Sequence, residues 1–187
     1  MYYETLLAIA AIAAGVTVPA ALKKFRHVFC VPEGWTGLLY QHGLYVRRNN
    51  AGRHVIWGCG WTVNLIDLRK ASLQVAGQET LTADGVSLKA GLLVTYQVTE
   101  PVKAAHETQN WQGDLCHAAG LALRTVVCGV TVESLLDQRL EIGAQLLARA
   151  QPEAARIGIN ILAIEVTDAV FPAELRRAFA EEPKAKQ

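Results

Sequence analysis

The sequence predicts an α+β fold preceded by an N-terminal membrane helix. Three patterns lead to this prediction: an uncharged apolar run near the N-terminus, a region of two-residue apolar periodicity after it, and helical periodicity that gives way to a final strand. The 187 residues, of which 51% are hydrophobic, are enough for one domain with its own core and an appendage. We predict an anchor over residues 1–24, a folded domain over 25–181 and a short polar tail over 182–187.

The predicted anchor is the run TLLAIAAIAAGVTVPAAL, which carries no charge. As a helix it would be about 27 Å long, close to the thickness of a thin hydrocarbon core. Basic residues follow the run and do not precede it, which argues against a cleaved signal peptide and places the rest of the chain in the cytoplasm. Pro19 leaves a shallow, hairpin-like insertion open as an alternative. The anchor residues are Leu6, Leu7, Ile9, Ile12, Val16, Val18 and Leu22, and the juxtamembrane basic residues are Lys23, Lys24 and Arg26.

The part after the anchor is predicted to begin with β-strands. Turn-forming residues separate several short strands, and a longer segment, Trp61–Val75, extends the sheet. Apolar residues then recur at every second position of Val86–Val98, which predicts a long strand with one buried face. We expect Leu88, Leu92 and Val94 to face a layer of helices. The short strands are predicted at Val28–Val31, Thr36–Gln41, Leu44–Arg47 and Val55–Trp57.

Helical periodicity starts near Asn110. A first helix is expected to end at Gly129, and Thr131 is predicted to cap a second helix that ends at Gly158. The apolar face of the second helix is predicted to comprise Val132, Leu135, Leu136, Leu140, Gly143, Leu147 and Ala150. The predicted end of the domain is a strand, Ile159–Thr167, followed by a short amphipathic helix, Pro172–Glu181.

Composition and residue spacing argue against several classes of function. The net charge is +1 and the basic residues are dispersed, so no nucleic-acid partner is predicted. The four cysteines form no CxxC pair and the histidines have no ligand spacing, so we expect reduced cysteines, no metal site and no cofactor. Cys116 and His117 resemble a nucleophile and its base, but helical neighbours point about 100° apart. No catalytic residue is therefore predicted.

Three tryptophans flank turns in the predicted β-region: Trp35, Trp57 and Trp61. Packing in the core is the simpler interpretation, and contact with the lipid headgroup layer is the alternative. Cys30, eight residues beyond the anchor, is a candidate for acylation in a host with that chemistry.

An acidic row is predicted on the second helix, because Glu133, Asp137 and Glu141 recur every four residues and so share a face. Such a row can bind a cation or supply an acid and a base, but a solvated or inter-subunit face is the preferred interpretation. Together with Arg139 and Arg149, these residues form the predicted assembly face.

Four stretches of the sequence carry a family resemblance. VPEGWTGLLYQHGLYVRRNNAGRHVI resembles the opening of the stomatin, prohibitin and flotillin (SPFH, or band-7) family, with its V-P-E-G entry and its G-x-Y-V-R and G-x-H segments. The resemblance continues in order through IDLRKASLQVAGQETLTADGVSLKAGLLVTYQVTEPVKA, ALRTVVCGVTVESLLDQRLEIGAQL and IEVTDAVFPAELRRAFA. It implies a mostly antiparallel sheet packed with helices.

The resemblance also implies a function of the stomatin-like (slipin) type. Such a protein would be a scaffold that binds membrane lipids, associates with itself and organises or regulates membrane proteins, including proteases. Two other classes remain: an adaptor subunit of a heteromeric membrane protease or transporter complex, and, less favoured, an enzyme. A membrane protease or a longer SPFH protein is the expected further partner.

Two departures from the family pattern affect these expectations. Relatives usually have an I-x-P turn where this chain has Ile56-Trp57-Gly58-Cys59-Gly60-Trp61, so the conformation of this loop is not implied by the resemblance. Relatives also generally continue into a long coiled coil, whereas residues 182–187 form a short polar tail with no coiled coil. We therefore expect self-association to be weak and sensitive to salt.

Overall fold

The structure is a computed structural model that describes Tyr3, residues 25–137 and residues 139–170. The chain divides into two compact units, with the boundary between Asp67 and Leu68. Among the described residues, no helix is both long enough and apolar enough to cross a membrane. Apart from Tyr3, the predicted anchor with its basic residues Lys23 and Lys24 lies outside the described residues, and so do the helix predicted at Pro172–Glu181 and the polar tail.

The N-terminal unit consists of two small antiparallel sheets. Strands β1 and β4 form a two-stranded ribbon, and β2 lies at the centre of a three-stranded sheet with the order β3-β2-β5. Its core is small and includes Val31, Leu38, Leu39 and Ile56. The strands are β1 (Arg26–Val31), β2 (Trp35–Gln41), β3 (Leu44–Asn49), β4 (Gly52–Trp57) and β5 (Trp61–Asp67).

The C-terminal unit packs helices on one antiparallel sheet with the order β6-β7-β8. The two long helices, α2 and α4, pack against each other, α2 also against β6 and α4 against β8. This arrangement confirms the predicted α+β class. The strands are β6 (Ala71–Leu81), β7 (Ser87–Val98) and β8 (Ile159–Val170), and the helices are α1 (Pro101–His106), α2 (Trp111–Val127), α3 (Val132–Asp137) and α4 (Arg139–Arg156).

The long strand predicted at Val86–Val98 is confirmed as β7, the central strand of this sheet. Leu88, Leu92 and Val94 are fully buried, as expected from their two-residue period. Both neighbours of β7 are antiparallel, which agrees with the mostly antiparallel sheet that the resemblance implies. The strand is therefore the core of the C-terminal unit.

The prediction that one segment, Trp61–Val75, extends a single sheet is wrong. The structure has two strands there, β5 and β6, in different sheets and different units, separated by Leu68–Lys70. Strand β6 then continues to Leu81 across a bulge between Val75 and Gln78. Apolar residues recur on both sides of the break, so periodicity alone cannot reveal where one sheet ends and the next begins.

Side-chain caps begin both α2 and α3; the Thr131 cap confirms the prediction, and the Asn110 cap was not predicted. The Asn110 side chain accepts a hydrogen bond from the Gly113 amide (3.1 Å), and the Thr131 hydroxyl accepts one from Ser134 (3.3 Å). The start of α3 has a second acceptor, because the Asp84 carboxylate receives the Val132 amide at 3.2 Å. Asp84 thereby links the turn before β7 to the start of a helix 48 residues later.

The predicted apolar face beyond Asp137 needs correction. The structure describes α3 and α4 on either side of Gln138, which itself lies outside the described residues. In α4 the predicted Ala150 is buried, but the predicted Gly143 and Leu147 are only half-buried, and the fully buried residues recur every four positions along a line that passes through Ala150. These residues are Ile142, Leu146, Ala150 and Ala154.

Candidate functional site

Two turns meet at one end of the N-terminal unit. The β2–β3 turn contacts the β4–β5 turn, where the His42 amide donates to the Gly60 carbonyl at 2.9 Å. The start of β1 joins them, because the Gly58 amide donates to the Phe25 carbonyl at 2.9 Å. We call Phe25, His42–Leu44 and Trp57–Gly60 the tip.

Backbone geometry explains the glycines of the tip. His42 and Gly43 have φ angles of 51° and 83°, the left-handed pair that a tight two-residue hairpin turn requires. At Gly60, whose φ is 75°, a side chain would collide with the imidazole ring of His42. The Trp61 indole donates to the Trp57 carbonyl at 3.0 Å and so closes the second turn. The Gly-Cys-Gly sequence is therefore a compact turn held against its neighbour.

The tip carries large apolar side chains in solvent. Leu44 is 74% exposed, Trp57 is 57% exposed and Phe25 is 49% exposed. Core packing, the simpler interpretation of the tryptophans, is therefore wrong for Trp57, because the residue ends an edge strand and points away from the small core. Trp35 and Trp61 are half-buried.

The exposed apolar surface continues from the tip along one face of the β1–β4 ribbon. Directly opposed residues of an antiparallel pair lie on the same face, so three opposed pairs define this surface. At its middle Val28 opposes Val55, and both are exposed. Toward the tip Arg26 opposes Trp57, and at the far end Cys30 opposes Arg53. The face is thus an apolar strip with an arginine near each end.

The charge of the N-terminal unit matches this pattern. Residues 25–67 contain four arginines and no lysine, against the two acidic residues Glu33 and Asp67. Large apolar side chains next to arginines form a surface that can enter the headgroup layer of a bilayer and attract anionic headgroups. The tip and the ribbon face together are the candidate functional site.

The predicted assembly face lies in the other unit. Glu133 on α3 and Glu141 and Arg149 on α4 are exposed. The side chains of Asp137 and Arg139 lie outside the described residues, so the acidic row across Gln138 stays a prediction.

The thiol chemistry considered for Cys116 has little support. Cys116 is half-buried on α2, and desolvation raises the pKa of its thiol, which disfavours the nucleophilic thiolate. All four cysteines are free, with Cys30, Cys59 and Cys128 exposed. Within residues 25–137 and 139–170, no three His, Cys, Asp or Glu side chains are grouped so as to hold a metal ion.

Sequence reasoning missed several residues of the candidate site. The sequence places Phe25 only in the basic segment that follows the predicted anchor. It places Leu44, Val28 and Val55 only in predicted strands. A usable signal was present at Leu44 and Trp57, since each directly adjoins a turn glycine, where a large apolar residue has few core neighbours. No comparable sequence signal indicates that one face of the β1–β4 ribbon is exposed.

Comparisons with known proteins agree with this architecture. The model of the SPFH domain / Band 7 family matches residues 29–187. The chain is 27% identical over 173 residues to an uncharacterised protein of Archaeoglobus fulgidus, covering 92% of this chain and 70% of that protein. It is 30% identical over 123 residues to a stomatin homologue of Pyrococcus abyssi, covering 66% of this chain and 46% of the homologue. It is 29% identical over 120 residues to Stomatin-1 of Caenorhabditis elegans, covering 64% of this chain and 36% of Stomatin-1.

The matches therefore span less than half the length of either stomatin. The family match begins within β1, at Phe29, extends through both units and includes β2–β8 and all four helices described above. This chain belongs to the SPFH domain / Band 7 family and is a stomatin-like member of it.

Proposed function

We propose that this protein is a membrane-associated scaffold. Its N-terminal segment crosses or enters the bilayer, its tip rests in the headgroup layer on the cytoplasmic side, and its copies associate to organise or regulate membrane proteins, including proteases. Membership of the SPFH family supports the scaffold role. The observation that carries the proposal is the exposure of Phe25, Leu44 and Trp57 on three adjoining segments of the tip.

The position of the tip along the chain supports contact with lipid. The predicted anchor ends at Leu22, and Phe25 is only three residues further along. Even a fully extended chain covers only about 3.3–3.6 Å per residue, so Phe25 lies within about 11 Å of the end of the anchor. The Phe25 carbonyl accepts the Gly58 amide, and this bond holds the neighbouring turn at the same distance from the bilayer.

The composition of the tip suits the membrane interface. Tryptophan favours the headgroup layer, where its ring leaves water while its N–H group stays hydrated, and phenylalanine and leucine can enter the apolar boundary beneath that layer. Each arginine near an anionic surface contributes about 1 kcal/mol of attraction. Arg26 and Arg53 lie on the exposed ribbon face and add this electrostatic attraction to the apolar contact.

A polarity-sensitive fluorophore tests the proposed contact directly. After replacement of the four native cysteines with serine or alanine, Leu44→Cys is labelled with nitrobenzoxadiazole and the full chain is reconstituted into liposomes that contain anionic lipid. Leu121→Cys is the matched control, because Leu121 is also an exposed leucine (63%) but lies on α2 of the C-terminal unit.

We expect the probe at position 44 to brighten, to shift its emission to shorter wavelength and to be quenched by spin-labelled lipid. The probe at position 121 should stay in water. The proposed contact of the tip with lipid would be contradicted if the emission from position 44 in liposomes matched that of a probe in water and spin-labelled lipid did not quench it.

A further inference from the structure

Six described strands lie at the edge of a sheet, and two of them, β3 in the N-terminal unit and β8 in the C-terminal unit, combine an uncovered edge with charge and shape that suit a partner strand. An uncovered edge presents unpaired backbone amides and carbonyls, which is a template for pairing with a strand of another chain. The two edges differ in charge and in shape, and these differences decide what each can pair with.

The β3 edge is apolar and basic. Beyond the tip residue Leu44, the strand exposes Val46 and then the two arginines Arg47 and Arg48. Arg48 donates to the Thr36 hydroxyl at 3.0 Å and so is tied to its own sheet. Arg47 is the exposed cation of this edge.

The β8 edge adjoins a groove. A cavity of about 450 Å³ lies between α4 and β8 and is lined by Gly143, Ala144 and Leu147 from the helix and by residues 162–166 from the strand. Gly143 approaches so closely that a Cβ atom there would lie 2.9 Å from the Ile164 carbonyl oxygen. The small residues of α4 thus leave an open apolar channel beside the strand.

Within the groove, Leu162 and Glu165 are exposed. Leu162 is the extra residue where the β7–β8 register shifts, because Tyr96 pairs with Ile161 and Thr95 with Ala163. Glu165 pairs with Leu93 of β7 and supplies a carboxylate beside the apolar channel.

We propose that β3 of one copy adds to the outer edge of β8 of a second copy, with Val46 over the α4–β8 groove and Arg47 beside Glu165. This inference rests on the self-association proposed above and names the surfaces that perform it. Because β3 and β8 are different surfaces of the same chain, the contact is heterologous and joins copies head to tail into a row or a ring.

Charge favours this pairing over pairing of like edges. Residues 25–67 contain four basic and two acidic residues, whereas residues 68–170 contain eight basic and eleven acidic residues. Pairing β3 with another β3 would place four arginines on two adjacent strands, and like charges across a strand pair are unfavourable. Pairing β3 with β8 places a basic edge on the acidic unit.

Charge reversal tests the contact in the full chain, with mass photometry in a mild detergent to measure association. Arg47→Glu and Glu165→Arg should each weaken self-association about fivefold or more, because a cross-strand ion pair becomes a pair of like charges. The double variant Arg47→Glu/Glu165→Arg should recover the association of the parent, and so should an equimolar mixture of the two single variants.

Cysteine cross-linking gives a second measurement that does not depend on charge. In the background without native cysteines, copies with Val46→Cys mixed with copies having Leu162→Cys should form a disulfide-linked pair under mild oxidation. Each single-cysteine variant by itself should form at least fivefold less linked dimer, because the contact joins two different surfaces.

The results separate this inference from the proposed function. A parent chain that stays monomeric at every concentration would overturn both the self-association and this contact. If the parent chain associates but Glu165→Arg has no effect on association, only the β3–β8 contact is overturned. The same conclusion follows if Val46→Cys copies by themselves form disulfide-linked dimers. Circular dichroism of each variant confirms that the substitutions, which are all at exposed positions, leave the fold unchanged.

Discussion

Leu44 and Leu123 are both leucines in regular secondary structure, yet Leu44 is 74% exposed and Leu123 is 1% exposed. The difference extends to the units that contain them. The C-terminal unit has a long central strand with buried apolar side chains, in a sheet on which α2 and α4 pack, whereas residues 25–67 of the N-terminal unit divide five short strands between two sheets and include no helix. The C-terminal unit has the core of an ordinary domain, and the N-terminal unit exposes apolar surface that a soluble domain would bury.

Charge follows the same division. The N-terminal unit has an excess of arginine, and the C-terminal unit has an excess of acidic residues. An apolar and basic unit next to the predicted anchor suits a lipid surface, and an acidic unit suits contacts with protein in water. We infer that stability depends mainly on the C-terminal unit and lipid contact on the N-terminal unit.

The largest expected effect would break the core of the C-terminal unit. Leu92 is fully buried in the central strand, so Leu92→Asp would bury an unpaired charge and should unfold the unit, with a loss of about 4 kcal/mol or more. Lys89→Asp on the other face of β7 is the control. It places a second acid opposite Glu79 and should cost about 1 kcal/mol or less. Urea denaturation followed by circular dichroism measures both, and equal tolerance of the two variants would show that the assigned face is wrong.

A matched pair of leucine truncations sharpens the comparison between the units. Leu123→Ala removes a fully buried side chain from α2 and should lower the free energy of unfolding by about 3 kcal/mol. Leu44→Ala removes an exposed side chain from the tip and should change it by no more than about 0.5 kcal/mol. Both values come from denaturant titration in mild detergent. If Leu44→Ala destabilised the protein as much as Leu123→Ala, the tip would be part of a core and not a free surface.

The smallest expected effect concerns the link between the β6–β7 turn and α3. Desolvation raises the pKa of Asp84, but the hydrogen bonds from the Val132 amide, its own amide and the Thr82 side chain outweigh it, so the pKa is lowered overall. A carboxylate with a lowered pKa stabilises the folded state above its unfolded pKa and stops doing so as the pH falls through its folded pKa.

Asp84→Asn should therefore lower the Tm by a few degrees at most near pH 7, and the difference from the parent should shrink as the pH falls below about 4 toward the lowered folded pKa of Asp84. Thermal unfolding monitored by circular dichroism at a series of pH values measures this difference. Glu79→Gln, an exposed acid of the preceding strand, is the control. A Tm difference for Asp84→Asn that is unchanged at pH 3 would show that the carboxylate charge is not what holds the start of α3.

Much of the C-terminal unit was predictable because its patterns are local. The alternation along β7 and the cap at Thr131 depend on neighbouring residues, and the structure confirms both. The break between β5 and β6 was missed because periodicity continues across it, and the buried face of α4 was shifted because many of its residues are apolar or small. The link from Asp84 to Val132 joins residues far apart in sequence, and no local pattern could reveal it.

The sequence by itself determined the family, the α+β class and the buried face of the central strand, because motifs, periodicity and caps are properties of short segments. The tertiary structure decided which apolar residues remain exposed. Phe25, Leu44 and Trp57 have ordinary strand and turn contexts, and only the pairing of β1 with β4 and the contact between two turns place them together at the tip. Exposure is a property of what packs over a residue, so no pattern within one short segment reveals it.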